Sequence, residues 1–213
     1  GSGTNQITIN PGNDLAESTA FYVQIAGTAF DDSAGNSSEA MTGWYSFTTA
    51  DETAPTFTST TPANGATSVA TSTNLSFTFS EAVVAKTGNF TIYNSADDSV
   101  FSTISVSDTS LVSGSGTSTI TVDPSTDLAE QTSYYAYIDA TAFDDIAGNS
   151  LAGVSDKTSY TFTTADETAP TLSSTSSTSI AENTTSVHTY TTDETVTWSL
   201  NGGADSALFA INT

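Results

Sequence analysis

A stretch of seven residues occurs twice, as Thr49-Ala50-Asp51-Glu52-Thr53-Ala54-Pro55 and as Thr164-Ala165-Asp166-Glu167-Thr168-Ala169-Pro170, and it limits what the chain can fold into. Each copy closes an alternating aromatic run, Tyr45-Ser46-Phe47-Thr48 or Tyr160-Thr161-Phe162-Thr163, and opens another β-rich segment. Its paired carboxylates have no place in an apolar core, and its proline stops a helix from running through. Both copies therefore read as junctions between modules. The same period shows elsewhere: Asp14-Leu15-Ala16-Glu17 returns 113 positions later as Asp127-Leu128-Ala129-Glu130. At that spacing Phe30-Asp31-Asp32-Ser33-Ala34-Gly35-Asn36 returns as Phe143-Asp144-Asp145-Ile146-Ala147-Gly148-Asn149. The junctions lie 115 positions apart because the loop after Asn149 is two residues longer than the loop after Asn36. Self-similarity at a fixed period marks a tandem array.

The opening Gly1-Ser2-Gly3-Thr4 matches Gly114-Ser115-Gly116-Thr117, so residue 1 is expected to fall inside a repeat. Residues 1–50 then form the C-terminal part of one module, 51–165 a complete module, and 166–213 the N-terminal part of a third. In the first part, strands are expected at Gln6–Ile9, Ala20–Ile25 and Trp44–Thr49. In the complete module, seven or eight short strands are expected, including Thr56–Thr60, Leu75–Phe79, Phe90–Tyr93, Val100–Val106, Ile120–Val122, Ser133–Ile138 and Tyr160–Thr163. Period-two alternation of aromatic and β-branched residues between turn signals, with no helical periodicity, gives the fold class: all-β, tandem immunoglobulin-like sandwiches with the first and last modules truncated. Three strands over 50 residues hold only half a sandwich core, so the first part is expected to be marginal alone or to lean on its neighbour.

Charge narrows the partners. Two Lys and one His stand against 24 Asp and Glu, a formal net charge of −22. Such a surface repels phosphate backbones and anionic lipid, which argues against nucleic acid and electrostatic membrane binding and favours cations. There is no cysteine to form a disulfide. No stretch approaches the roughly 18 apolar residues of a membrane-spanning helix, so no membrane insertion is expected in this segment.

The ordered motifs Asp51-Glu52-Thr53-Ala54-Pro55, Thr61-Pro62-Ala63-Asn64-Gly65-Ala66, Phe79-Ser80-Glu81-Ala82-Val83, Asp127-Leu128-Ala129, Tyr134-Tyr135 and Asp145-Ile146-Ala147-Gly148-Asn149 resemble the bacterial Ig-like domain of the S-layer type. The resemblance covers 51–165, and its later half covers 1–50. It implies a tandem extracellular module of bacterial surface-layer proteins, adhesins or secreted multidomain enzymes. Ser179-Ile180-Ala181-Glu182-Asn183-Thr184, with Tyr190 to Leu200 after it, resembles the start of a bacterial cadherin-like repeat. Only Asp193 and Glu194 remain of the acidic run expected there, and Trp198 takes the aromatic place.

Alternating strand directions are expected to return Glu81 and the loop Asp144 to Asn149 to the end of the module where Asp51 and Glu52 enter. Calcium takes six to eight oxygen ligands from carboxylates, carbonyls and water, and this loop supplies that chemistry, whereas zinc or copper would call for the His and Cys the chain lacks. The candidate calcium ligands of the first junction are thus Asp51, Glu52, Glu81, Asp144, Asp145 and Asn149. At the second junction, Asp166 and Glu167 would face Asp193 and Glu194. A second account of the same residues is that Asp145 and Asn149 only close their loop, as Asx-turn residues do, while the linker acids are solvated.

No nucleophilic constellation accompanies the single histidine, His188, so no catalysis is expected. The expected function is a structural or adhesive repeat of a bacterial secreted or cell-surface protein, stiffened by calcium at its junctions. Its partners would be neighbouring modules, with cell-surface or glycan ligands also open. The competing account is a carbohydrate-binding or spacer module of a secreted enzyme, with Trp44, Tyr93 or Tyr135 stacking on sugar.

Overall fold

The computed structural model describes residues 3–174, 179–181, 188–199, 203, 210 and 211. The chain divides into two compact units, residues 1–165 and 166–213. In the first unit, β1 (Ala20–Ile25) and β2 (Met41–Thr48) form an antiparallel ribbon with a register shift between Val23 and Gln24. A ten-strand sandwich follows: β3 (Phe57–Thr61), β4 (Ala66–Val69), β5 (Leu75–Ala85), β6 (Asn89–Asn94), β7 (Val100–Ser105), β8 (Val112–Ser113), β9 (Thr117–Val122), β10 (Ser133–Ile138), β11 (Phe143–Asp145) and β12 (Thr161–Thr164). One sheet runs β4-β12-β10-β6-β7 and the other β11-β5-β9-β8, with β3 also paired to β5. The fold is all-β, as the alternation requires.

Each sheet turns alternate side chains inward. Leu75, Phe77 and Phe79 of β5 are buried, and so are Phe90 and Ile92 of β6 and Tyr134, Ala136 and Ile138 of β10. Phe77 joins the two sheets, with its ring centroid 5.3 Å from Phe90 and 5.0 Å from Tyr160. Each such side chain contributes about 1.5–3 kcal/mol by leaving water. The Tyr134 hydroxyl accepts a hydrogen bond from the Ala129 amide at 2.9 Å, which pins the loop before β10 to the core.

Three strands are absent from the pattern in the sequence: β4, β8 and β11. They are two to four residues long, too short to show a period, and β11 is part of a loop motif. In the other direction, Gln6–Ile9 forms no strand. Its counterpart Thr119–Val122 is held by β5, and among the described residues no strand pairs with the first copy. Ile7 is accordingly 49% exposed where its counterpart Ile120 is 0% exposed.

Among the described residues, unit two, taken alone, shows one isolated bridge, Leu172 to Thr192. The Thr171 amide donates to the Asp193 carboxylate at 2.8 Å. His188 packs edge-on against Tyr190 with centroids 4.6 Å apart.

Tyr160 carries a defect in the core: its hydroxyl is buried without a hydrogen-bond partner, and burial pushes the phenol well above its ordinary pKa. An unpaired buried hydroxyl costs about 1–3 kcal/mol, so Tyr160→Phe should raise the urea midpoint of the first unit. Phe162→Ala should lower stability by about 3–5 kcal/mol. The matching change at Phe47, which is 37% exposed, should cost far less in the same titration.

Candidate metal centre at the first junction

Strand β11 lies antiparallel to β5, with Asp145 opposite Val83 and Asp144 opposite Val84. Alternation along this short strand sends Phe143 and Asp145 inward and Asp144 to the other side. Asp145 is 2% exposed. Its Oδ1 accepts the Gly148 amide at 2.6 Å and the Asn149 amide at 2.8 Å, and its Oδ2 accepts Asn149 Nδ2 at 2.7 Å. Gly148 has φ of 101°, a left-handed conformation that glycine adopts without strain and that turns the loop back onto Asp145.

Asn149 also reaches the junction: Nδ2 donates to the Asp51 carbonyl at 3.1 Å and to the Thr53 carbonyl at 3.5 Å. One amide thus ties the loop to a linker nearly a hundred residues away. From the preceding module part, Glu17 holds the same linker by accepting the Thr53 hydroxyl at 2.6 Å. Neither of these two contacts is apparent in the sequence, although recurrence of Glu17 as Glu130 was a signal that the position is structural.

Carboxylate oxygens of Asp51, Glu81 and Asp145 lie within 4.8 Å of one another. Glu81 does not follow the strand, as expected from sequence, but lies inside β5 where the register with β9 shifts between Thr78 and Val83. That irregularity brings an acidic side chain to a strand whose neighbours face the core. Desolvation, then repulsion from Asp145 and Asp51, raises the pKa of Glu81. For Asp145, burial is the largest single influence and acts upward, but the hydrogen bonds from Asn149, Gly148 and Ala147 together outweigh it and hold the pKa below its usual value.

The remaining candidates stand apart from this trio. Asp144 faces the other way, accepting the Ser150 hydroxyl at 2.7 Å, with Lys86 Nζ 3.7 Å from it. Glu52 is exposed, beside Asp14, Leu15 and Glu17. Asn149 presents Nδ2 to the linker carbonyls and to Asp145, so its amide acts here as a donor. In unit two, Asp166 accepts the Thr168 amide at 3.2 Å, and Asp193 is engaged by the amide and hydroxyl of Thr171. Glu167 is exposed. Among the described residues, Asp51, Glu81 and Asp145 form the one such trio. Glu182 lies outside the described residues.

The earlier copy of the loop separates two roles. Asp32 accepts the Ala34 and Asn36 amides at 2.9 and 2.8 Å and Asn36 Nδ2 at 2.8 Å. The Ser37 hydroxyl donates to Asp31 as Ser150 does to Asp144. The Asn36 side-chain bond, the largest influence, holds the pKa of Asp32 down. Loop closure therefore follows from the loop's own residues, and what the second copy adds is the approach of Asp51 and Glu81.

The proposed sugar-stacking tyrosines are packed on one another. Tyr135 is 3% exposed, stacked on Tyr93 at 4.9 Å, with Lys157 Nζ 5.5 Å from its ring centre. It offers no free face to a sugar. The side chain of Trp44 lies outside the described structure.

The sequence model of one family, described as bacterial Ig-like domain, matches residues 1–49 and 51–164. The chain belongs to the bacterial Ig-like domain family. This family is a non-catalytic module, found as a structural repeat. Solved structures similar to this chain include the following two. The crystal structure of CopC from Methylosinus trichosporium OB3b shares 14% identity over 54% of this chain and 97% of that one, with a TM-score of 0.38. The S-layer protein rSbsC(31-844) shares 21% identity over 57% of this chain, with a TM-score of 0.35; the match spans 15% of that protein's length. Comparison with curated proteins gives no match.

Two predictions rest on this Ig-like junction. Asn149→Ala should lower stability by about 1–3 kcal/mol in denaturant titration, and Asn36→Ala by less, because only Asn149 also satisfies linker carbonyls. Glu81 has a raised pKa in the folded state, so the native state binds its proton more tightly than the unfolded state, and stability falls as pH rises through that window. Glu81→Gln should therefore raise the melting temperature at neutral pH in chelator, with the difference shrinking as pH drops below the ordinary glutamate range.

Proposed function

We propose that this chain is a structural, adhesive repeat region of a bacterial secreted or cell-surface protein, in which calcium bound by Asp51, Glu81 and Asp145 stiffens the junction between consecutive modules. The convergence of those three carboxylates, one from the linker and two from the module body, carries the reading. Calcium prefers such hard oxygen donors, completes its shell with backbone carbonyls and water, and would relieve the repulsion that raises Glu81. Ligands on both the linker and the sandwich would restrict the angles the linker samples. Extracellular calcium sites of this kind are weak, about 10⁻⁴–10⁻³ M, which suits an exported protein and not a cytosolic one. On this reading neighbouring modules are the principal partners, and residues 166–213 open a further, cadherin-like module.

Calorimetric titration and thermal unfolding of the full chain in calcium and in chelator test the proposal. Millimolar calcium should raise the melting temperature of the wild type, and Glu81→Gln should lose most of that gain although it is the more stable protein in chelator. An equal gain in both proteins, or none in the wild type, would mean that the trio holds no ion and that the chain is a metal-independent spacer.

A further inference from the structure

We propose that Asn64-Gly65 is a site of spontaneous covalent modification, an asparagine deamidation that hydrogen bonds hold off in the folded chain and that proceeds when the turn before β4 parts from β12. Asn-Gly is the step at which this chemistry meets least obstruction, because glycine has no side chain to keep its nitrogen from the preceding residue. The chain has two such steps, Asn64-Gly65 and Asn201-Gly202, and the second lies outside the described residues. In the reaction the Gly65 nitrogen, its proton removed by base, attacks Cγ of Asn64. The bond from Cγ to Nδ2 breaks, the nitrogen leaves as ammonia, and a five-membered succinimide remains. Water then opens the ring at one carbonyl or the other, leaving aspartate or isoaspartate at position 64. Water is the one co-reactant.

A single residue, Thr161, engages both reacting groups. The Gly65 amide, which must give up its proton to base, donates to the Thr161 carbonyl at 2.7 Å. The Asn64 side chain, which must swing its Cγ onto that nitrogen, is tied down: Oδ1 accepts the Thr161 amide at 2.9 Å and the Thr161 hydroxyl at 3.2 Å, and Nδ2 donates to the Thr158 carbonyl at 3.3 Å. Burial gives no protection, since Asn64 and Gly65 are both exposed and open space lies where a Gly65 side chain would stand. Water and base reach the step, so the hydrogen bonds are the barrier. All of them end on Thr158 or Thr161, and freeing the two reacting groups therefore means parting the turn from β12. Neither product restores the contact. Aspartate sets a carboxylate against the Thr158 carbonyl where an amide had donated. Isoaspartate lengthens the main chain by one carbon just ahead of β4, whose pairing with β12 begins at Ala66 opposite Phe162. A transient opening is thereby turned into a permanent change.

This inference does not rest on calcium, so its test is run in chelator. The full chain is incubated in mildly alkaline buffer, once native and once unfolded in urea, and loss of the Asn64 amide is followed by peptide mass spectrometry. Loss should be at least about tenfold slower in the native chain, where the turn is seldom open. Hydrogen exchange of the Gly65 amide reads the same release without any substitution, and its protection should match the protection from deamidation to within about threefold. Val69→Ala loosens β4 from the core and should speed native deamidation severalfold while leaving the rate in urea unchanged. Val112→Ala makes the same truncation in β8, at the edge of the other sheet, and should leave both rates unchanged. Equal rates in native and unfolded chain would overturn the proposal, as would a Gly65 amide protected from exchange beside an Asn64 that still loses its amide freely. It also fails if Val69→Ala does not speed the native reaction, or if Val112→Ala speeds it as much. Should Val69→Ala not fold, the comparison with exchange decides.

Discussion

Everything in the complete module depends on the face-to-face burial of two sheets whose inward side chains come from distant parts of the chain. Phe77 from β5 meets Phe90 from β6 and Tyr160 just ahead of β12, and Phe79 meets Phe143 of β11 at 5.6 Å. Those contacts decide where every strand ends, and so where the loops emerge. In residues 1–50, among the described residues, β1 pairs with β2, and Tyr45 and Ile9 are exposed where their counterparts Tyr160 and Val122 are buried.

The junction is a by-product of that packing. Phe143 anchors β11 in the core, and alternation then turns Asp145, two residues on, to the same side. A carboxylate would not be buried there unless it were satisfied, and the Asn149 and Gly148 amides satisfy it. The side chain of Asn149, once held by Asp145, is left with a second amide hydrogen, which it gives to the linker carbonyls. The linker is thereby fixed at Asp51 and Thr53 by a residue whose first duty is loop closure.

How much of this could be read from the sequence varies with the physical signal. Burial follows the alternation in β6 and over Leu75 to Phe79 of β5, whereas in β10 Tyr134, Tyr135 and Ala136 are all buried. The seven-residue repeat and the matching loops placed the acids near one another because they depend only on the order of elements. Side-chain direction is a different matter. Whether Asp144 or Asp145 turns toward the junction depends on the parity of a three-residue strand, and the adjacent acids look equivalent on paper. Glu81 depended on a register shift that leaves no mark in composition. Asn149 acts as a donor because a backbone from the far side of the module lies beside it, a fact of tertiary structure alone.

The electrostatics of the trio point outward from the chain. Only two lysines are available against 24 acidic residues, and each is placed beside a single aspartate: Lys86 beside Asp144 and Lys157 on Asp98. Lys86 comes within one residue of the trio, but strand alternation puts Asp144, and Lys86 with it, on the opposite side of β11 from Asp145. Among the described residues no basic side chain forms an ion pair with Asp51, Glu81 or Asp145. Asp145 is compensated by its loop amides, but no amide hydrogen bond contributes to the environment of Glu81, whose pKa is set by desolvation and by its two acidic neighbours. Protonation at low pH would relieve that repulsion, and the calcium ion proposed above would relieve it at neutral pH by supplying the positive charge that neither lysine brings.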